Sequence, residues 1–270
     1  MEKQNRTVVT EFILKSITDR PELQAPLFGL LLVICLISAV GNLSIIILTN
    51  TDSRLQTPMY FFLRHLAVTD LCYSTSVGPK ITKYNPLSTS FILFITCEIF
   101  LLSSMSYDRY VAICKPLLYT VIMPQRVCWA LVAIPYVYSI FVSSLYPFVD
   151  TTPFHHFFCD CIPLISLLCS NTHESATFGL ISSLLIILVS YILILTAVLR
   201  MNSAEGRRKA FSTCGSHLTG VIVFYGTLIF MYVQPKSSHS FDTDKVAFIF
   251  YTLIIPMLNP LIYSLRNKDV

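Results

Sequence analysis

A chain of 270 residues that is 54% hydrophobic and only 13% charged does not suit one water-soluble core, because soluble domains carry about a quarter charged residues. Lipid as solvent removes the difficulty, since apolar surface can face acyl chains. The net charge of +4 does not point to nucleic acid, because Lys and Arg sit at the ends of apolar runs rather than on one face or tail.

The first residues, MEKQNRTVVTEFILKSITDRPELQ, are mixed and polar and do not read as a cleavable leader, so the first span is expected to act as its own insertion signal. Asn5-Arg6-Thr7 is an N-glycosylation acceptor sequence that a lumenal tail would expose. Seven stretches then approach the roughly 20 apolar residues needed to cross hydrocarbon. They are Leu27–Leu48, Pro58–Val77, Leu87–Ser106, Val127–Phe148, Phe178–Leu199, His217–Val233 and Val246–Leu265. Each must be a helix, which closes its own backbone hydrogen bonds, and the runs are continuous rather than alternating as barrel strands would be. The expected organisation is an outer tail over 1–26, an all-α seven-transmembrane-helix bundle over 27–265 and a short inner tail over 266–270.

Placing the amino terminus outside and the carboxy terminus in the cytoplasm puts Arg54, Lys115, Arg126, Arg207, Arg208, Lys209 and Lys268 on the inner side. It leaves Lys80, Lys83, Lys236 and Lys245 in the outer loops, the asymmetry that membrane insertion favours. The polar tail carries Lys3, Arg6, Lys15 and Arg20 against that trend.

Acids inside apolar spans are expensive and usually functional. Glu98 precedes Arg109 by about 16 Å of helix, near mid-membrane, and Asp70 lies at a similar depth on the second span. Two carboxylates at one depth fit a shared cation or a hydrogen-bonded pair with one carboxyl protonated. Asn259-Pro260 interrupts the backbone ladder of the seventh span. No nucleophile–base arrangement, phosphate loop or metal-binding helix is legible, so no enzyme is expected. His155-His156-Phe157-Phe158-Cys159-Asp160-Cys161 gathers soft-metal ligands in an outer loop, but thiols meant for disulfides are the simpler reading. Of nine cysteines, Cys159, Cys161 and Cys169 alone fall in the oxidising outer compartment. A transporter would want inverted repeats or paired broken helices, and neither is present.

Met105-Ser106-Tyr107-Asp108-Arg109-Tyr110-Val111-Ala112-Ile113-Cys114, at the inner end of the third span and followed by Lys115-Pro116-Leu117-Leu118-Tyr119, resembles the odorant (olfactory) receptor family of rhodopsin-like receptors. Four further blocks in order share that resemblance. They are Gly41-Asn42, Pro58 to Leu63 with Asp70, Lys209-Ala210-Phe211-Ser212-Thr213-Cys214, and Pro256-Met257-Leu258-Asn259-Pro260-Leu261-Ile262-Tyr263.

The resemblance implies an odorant receptor that binds a small, volatile, mostly apolar ligand and activates a stimulatory heterotrimeric G protein, raising cyclic AMP. It implies a multi-pass protein of the plasma membrane, in olfactory sensory cilia. The switch would involve Asp108, Arg109, Tyr110, Asn259, Pro260 and Tyr263. The ligand would meet Phe91, Ile92, Ile95 and Thr96 on span three, Tyr225, Leu228 and Tyr232 on span six, and Ile249 and Thr252 on span seven. A sodium ion fits Asp70 and Glu98, with Asn42 and Asn259 as neighbours.

Against the family pattern the outer segments are short. Tyr84 stands where a cysteine tops the third span, the partner expected for Cys159. The loop cysteine that would pair with Cys169 is missing, which leaves Cys159–Cys169 or Cys161–Cys169 as candidate bridges. The outer part of the fifth span also reads as cut. The alternative is therefore a shortened receptor-like product that inserts in the membrane but does not signal.

Overall fold

The structure is a computed structural model that describes residues 21–77, 86–145, 171–233 and 254–265. Among these residues it is nearly all helix and contains no strand. Seven main helices are α1 (Pro21–Thr51), α2 (Pro58–Val77), α3 (Pro86–Cys114), α5 (Gln125–Leu145), α6 (Asn171–Leu199), α7 (Ala204–Val233) and α8 (Ile255–Leu265). A one-turn helix, α4 (Tyr119–Ile122), lies between α3 and α5.

The ends follow local chemistry. α2 and α3 open on prolines, whose missing N–H costs nothing in a first turn. α3 stops before Lys115-Pro116, because the residue preceding proline is pushed out of the helical region. Ser203 Oγ accepts the Gly206 N–H at 3.1 Å and caps the start of α7.

α3 is the central helix and packs on α2, α5, α6 and α7, while α1, α8, α7 and α6 continue the ring around it. Apolar side chains cover the outside. Leu36, Ile37, Val40 and Ile47 on α1 and Leu185, Val189 and Ile192 on α6 are all exposed, which only lipid makes favourable. By length and composition, Leu32–Thr51, Gln125–Ser144 and Phe178–Leu199 are long and apolar enough to cross a membrane, and His217–Leu228 is a shorter apolar stretch. α2 and α3 are less apolar because they carry the polar interior, including Asp70, Ser74, Thr96, Glu98, Ser103 and Ser106, all buried. Hydroxyls within the helices are satisfied locally: Ser44 donates to the Val40 carbonyl at 2.7 Å and Thr49 to the Ile45 carbonyl at 2.8 Å.

Several expected boundaries move: α3 continues to Cys114, past the expected Ser106, and α7 begins at Ala204, well before the expected His217. α1 begins at Pro21, inside the stretch read as tail. α6 begins at Asn171 and runs 29 residues, about 43 Å at the usual rise, so its helix extends outward past the stretch around Ser175 to Phe178 that reads as cut. Apolar periodicity marks the part of a helix immersed in hydrocarbon. The hydrogen-bonded helix continues past it, where polar side chains meet water.

Three prolines lie inside helices, Pro26, Pro135 and Pro260, and at the last two a neighbouring helix repairs the broken ladder. Pro135 in α5 has no N–H for the Leu131 carbonyl, and Ser104 of α3 donates to that carbonyl at 3.2 Å. Pro260 in α8 likewise frees the Pro256 carbonyl, and Asn42 of α1 donates to it at 3.0 Å. A freed carbonyl in a membrane has no water to turn to, so each repair also ties two helices together.

Candidate functional site

The polar interior is built where α1, α2, α3 and α8 meet. Gly41 allows the approach: a Cβ there would lie 3.1 Å and 3.2 Å from the Cβ and Cγ of Pro260. Beside it, Asn42 is fully buried. Its amide also donates to the Ser38 carbonyl at 3.0 Å and reaches Ser38 Oγ at 3.3 Å, while Ser38 Oγ stands 3.5 Å from Ser74 Oγ. Asn259 donates through Nδ2 to Asp70 Oδ2 at 2.9 Å. Glu98 brings a second carboxyl alongside Asp70, as the shared depth of the two acids predicts.

Asp70 Oδ1 and Asn42 Oδ1 are buried acceptors without a hydrogen-bond partner. An oxygen-rich, acceptor-heavy donor set of this kind suits a hard monovalent cation or a shared proton. No group of three or more His, Cys, Asp or Glu able to hold a metal occurs among the described residues. His155, His156, Cys159, Cys161 and Cys169 lie outside them, as does Asn5.

The second cluster sits at the inner ends of α3, α6 and α7. Asp108 accepts a 2.7 Å hydrogen bond from the Tyr119 hydroxyl on α4. Burial first, then the Asp108 charge, pushes the Tyr119 phenol well above its ordinary range, so it remains a donor. Arg109 is only 7% exposed, and its Nη2 has no hydrogen-bond partner. Tyr110 packs near Tyr107, with ring centroids 6.2 Å apart, and Lys115 Nζ lies 6.0 Å from its ring centre.

His217 on α7 joins three helices. Its Nε2 lies 3.2 Å from the Leu102 carbonyl of α3, and its Nδ1 lies 2.6 Å from the Tyr191 hydroxyl of α6. A carbonyl only accepts, so Nε2 carries the proton. Nδ1 is then the acceptor, and Tyr191 donates to it.

Of the expected ligand-facing residues, Ile92, Tyr225 and Leu228 are buried in one apolar cluster with Ile95 packed against it, and Thr96 is buried beside them on α3. Phe91, Tyr232 and the switch residue Tyr263 occupy helix positions whose side chains lie outside the described set, and Ile249 and Thr252 lie outside the described residues. The sequence reading passed over His217, Tyr191 and Ser183, and it quoted Tyr119 without giving it a role. A lone histidine in an otherwise apolar span was the available signal for His217. Nothing in the sequence marks Ser183.

Seven helices, six of them arranged around the third, with a buried carboxylate–asparagine core and an arginine at the inner end of α3, make up the fold of the rhodopsin-like, seven-helix class. The fold agrees with the crystal structure of squid rhodopsin at a TM-score of 0.71, 18% identity, and coverage of 96% of this chain and 80% of that one. The sequence model of the olfactory receptor family matches residues 31–270. Human olfactory receptor 8K3 is 64% identical, covering all of this chain and 95% of its own. Human olfactory receptor 8K1 is 56% identical over 98% of this chain and 91% of its own, and mouse olfactory receptor 8U3 is 52% identical over 100% and 93%. The chain belongs to the olfactory receptor family. It is a multi-pass membrane receptor for odorants that couples to G proteins, and not an enzyme. Its alignment with receptor 8K3 runs over 297 residues against the 270 of this chain, so that relative carries segments this chain lacks.

Proposed function

We propose that this receptor binds a small, volatile, mostly apolar ligand between the outer halves of α3, α6, α7 and α8 and activates a stimulatory G protein, raising cyclic AMP at the plasma membrane of olfactory cilia. The ligand would meet Phe91, Ile92, Ile95, Thr96, Tyr225, Leu228, Tyr232, Ile249 and Thr252. Opening would pass through Asp108, Arg109, Tyr110, Asn259, Pro260 and Tyr263. The observation that carries the reading is the three-helix junction at His217: α3, α6 and α7 meet through one neutral imidazole beside a buried Arg109, an arrangement that separation of α7 would break.

An apolar inner surface supports the coupling. Leu117 is 95% exposed, and Leu118 and Val121 are exposed next to the exposed Lys115 and Arg126. In the inner connection between α3 and α5 this patch would stand clear of the hydrocarbon, where a partner protein rather than lipid would cover it.

The test is cyclic AMP production by cells that carry the olfactory G protein, across a broad odorant panel, with surface labelling of an amino-terminal tag. Silence despite display would count against signalling. Leu117→Asp is expected to abolish the response while leaving display intact.

A second reading is a shortened product that inserts without signalling. The segments present in receptor 8K3 and missing here favour it, together with the lost partners of Cys159 and Cys169. Restoring those segments and repeating the assay separates the two readings.

A sodium ion held by Asp70 and Glu98, with Asn42 and Asn259 adjacent, would stabilise the closed bundle by neutralising the acid pair. Thermal unfolding of detergent-purified receptor in sodium against N-methylglucamine tests this. An unchanged midpoint leaves the shared proton as the answer.

A further inference from the structure

Ser183 on α6 is completely buried, and its Oγ touches two oxygens, the Leu180 carbonyl at 2.9 Å and the Tyr225 hydroxyl at 2.8 Å. A serine hydroxyl has one proton, and a carbonyl only accepts. Both contacts are hydrogen bonds only if Ser183 donates to Leu180 and Tyr225 donates to Ser183. The reverse direction turns the Leu180 contact into two facing acceptors, an arrangement that burial penalises. The phenol proton of Tyr225 is therefore spent on α6. Towards any other group Tyr225 offers only oxygen lone pairs, from within the buried apolar cluster that holds Ile92 and Leu228.

We propose that Ser183 is a specificity-determining residue that acts through Tyr225. By holding the phenol proton it makes the ligand site an acceptor, selecting apolar molecules that carry an O–H donor over those that carry a carbonyl or ether oxygen alone. The proposal rests on the reading that Tyr225 faces the ligand. A ligand hydroxyl can donate to Tyr225 without disturbing the chain. A ketone of the same length presents a second acceptor to an acceptor, and it binds only if the tie to α6 is broken. Ser183 is a positioning residue here and need not touch the ligand.

The experiment uses the full-length receptor, displayed on cells and dosed with straight-chain alcohols and the ketones of equal chain length. For wild type the alcohols are expected to be more potent by about tenfold, a difference one hydrogen bond can supply. Ser183→Ala releases the phenol proton, which can then be donated to a carbonyl, and the alcohol-to-ketone ratio should fall to near parity. Ser183→Thr keeps a hydroxyl that can bond back to the same carbonyl, and it should restore the wild-type ratio, which a purely structural role does not require. Tyr225→Phe should also bring the ratio to parity and weaken the alcohols. If Ser183→Ala is not displayed, Ser183→Thr and Tyr225→Phe decide. A wild type that prefers ketones, or a Ser183→Ala that shifts both series by one factor, overturns the proposal while leaving the receptor reading intact. A displayed wild type that answers no compound overturns that reading, and the proposal with it.

Discussion

The junction of α1, α2 and α8 and the seam between α6 and α7 are both bridged by polar side chains, but they are built to different ends. At the first, α1 meets α8 over a wide surface, a glycine lets the helices approach, and several hydrogen bonds converge on Asn42 and Asp70. At the second, α6 and α7 touch over far less surface among the described residues, and two side-chain ties hold them, Ser183 to Tyr225 and Tyr191 to His217. The ties are eight residues apart on each helix, about 12 Å along the axis. The first region resists separation because its bonds share partners. The second can open by breaking two bonds of ordinary strength.

Four substitutions probe that contrast. Asn259→Ala takes away the donor to a buried Asp70 that already has one unpartnered oxygen. Losing a hydrogen bond to a buried carboxylate costs about 1.5–3 kcal/mol, so surface display should fall sharply, as read by tag labelling against total expression. Normal display would show that Asp70 is carried protonated and needs no partner.

Gly41→Val places carbon against the Pro260 ring and should cost about 1–3 kcal/mol by overpacking, read as a lower midpoint of thermal unfolding in detergent. An unchanged midpoint would mean that α1 and α8 slide freely and that the junction is not rigid.

At the seam, His217→Phe keeps the ring and deletes both bonds, each worth about 0.5–1.5 kcal/mol. Ligand-independent cyclic AMP should rise several-fold with display preserved. A fall in basal signal would place His217 in the open state instead.

Tyr119→Phe loses one bond to Asp108, about 1 kcal/mol, and should give the smallest rise in basal signal. The Tyr119 phenol is raised above its ordinary value near 10, so the folded state favours the protonated form. Its contribution is complete below that value and is lost only as pH rises beyond it. Basal signalling measured between neutral and mildly alkaline pH should therefore show no Tyr119-dependent step.

Much of this was legible in the chain. The apolar runs located the helices, and α2 matches its expected bounds residue for residue. Two acids at one depth predicted that Asp70 and Glu98 would meet. The inner-end motif put Asp108 and Arg109 near the end of the third span, and the structure has both buried in the last turns of α3. What escaped has a common cause. A helix's hydrogen-bonded extent is not its hydrophobic extent, which is why Pro21 and Asn171, and not residues further along, begin α1 and α6. Tyr119, Tyr191, His217 and Ser183 acquire their roles from partners 11, 26 and 42 residues away, and no periodicity within one helix records such a partner.

By itself the sequence determined that this protein is a bundle of membrane helices and which family it belongs to, because lipid immersion and backbone closure leave few other solutions for such apolar runs. The tertiary structure alone decided how the proline breaks are repaired, by Asn42 for Pro256 and Ser104 for Leu131, and which way the protons run at His217 and Ser183. A freed carbonyl or a single hydroxyl proton is satisfied by whichever donor or acceptor the packing brings within 3 Å or so, and that choice exists only once the helices have met.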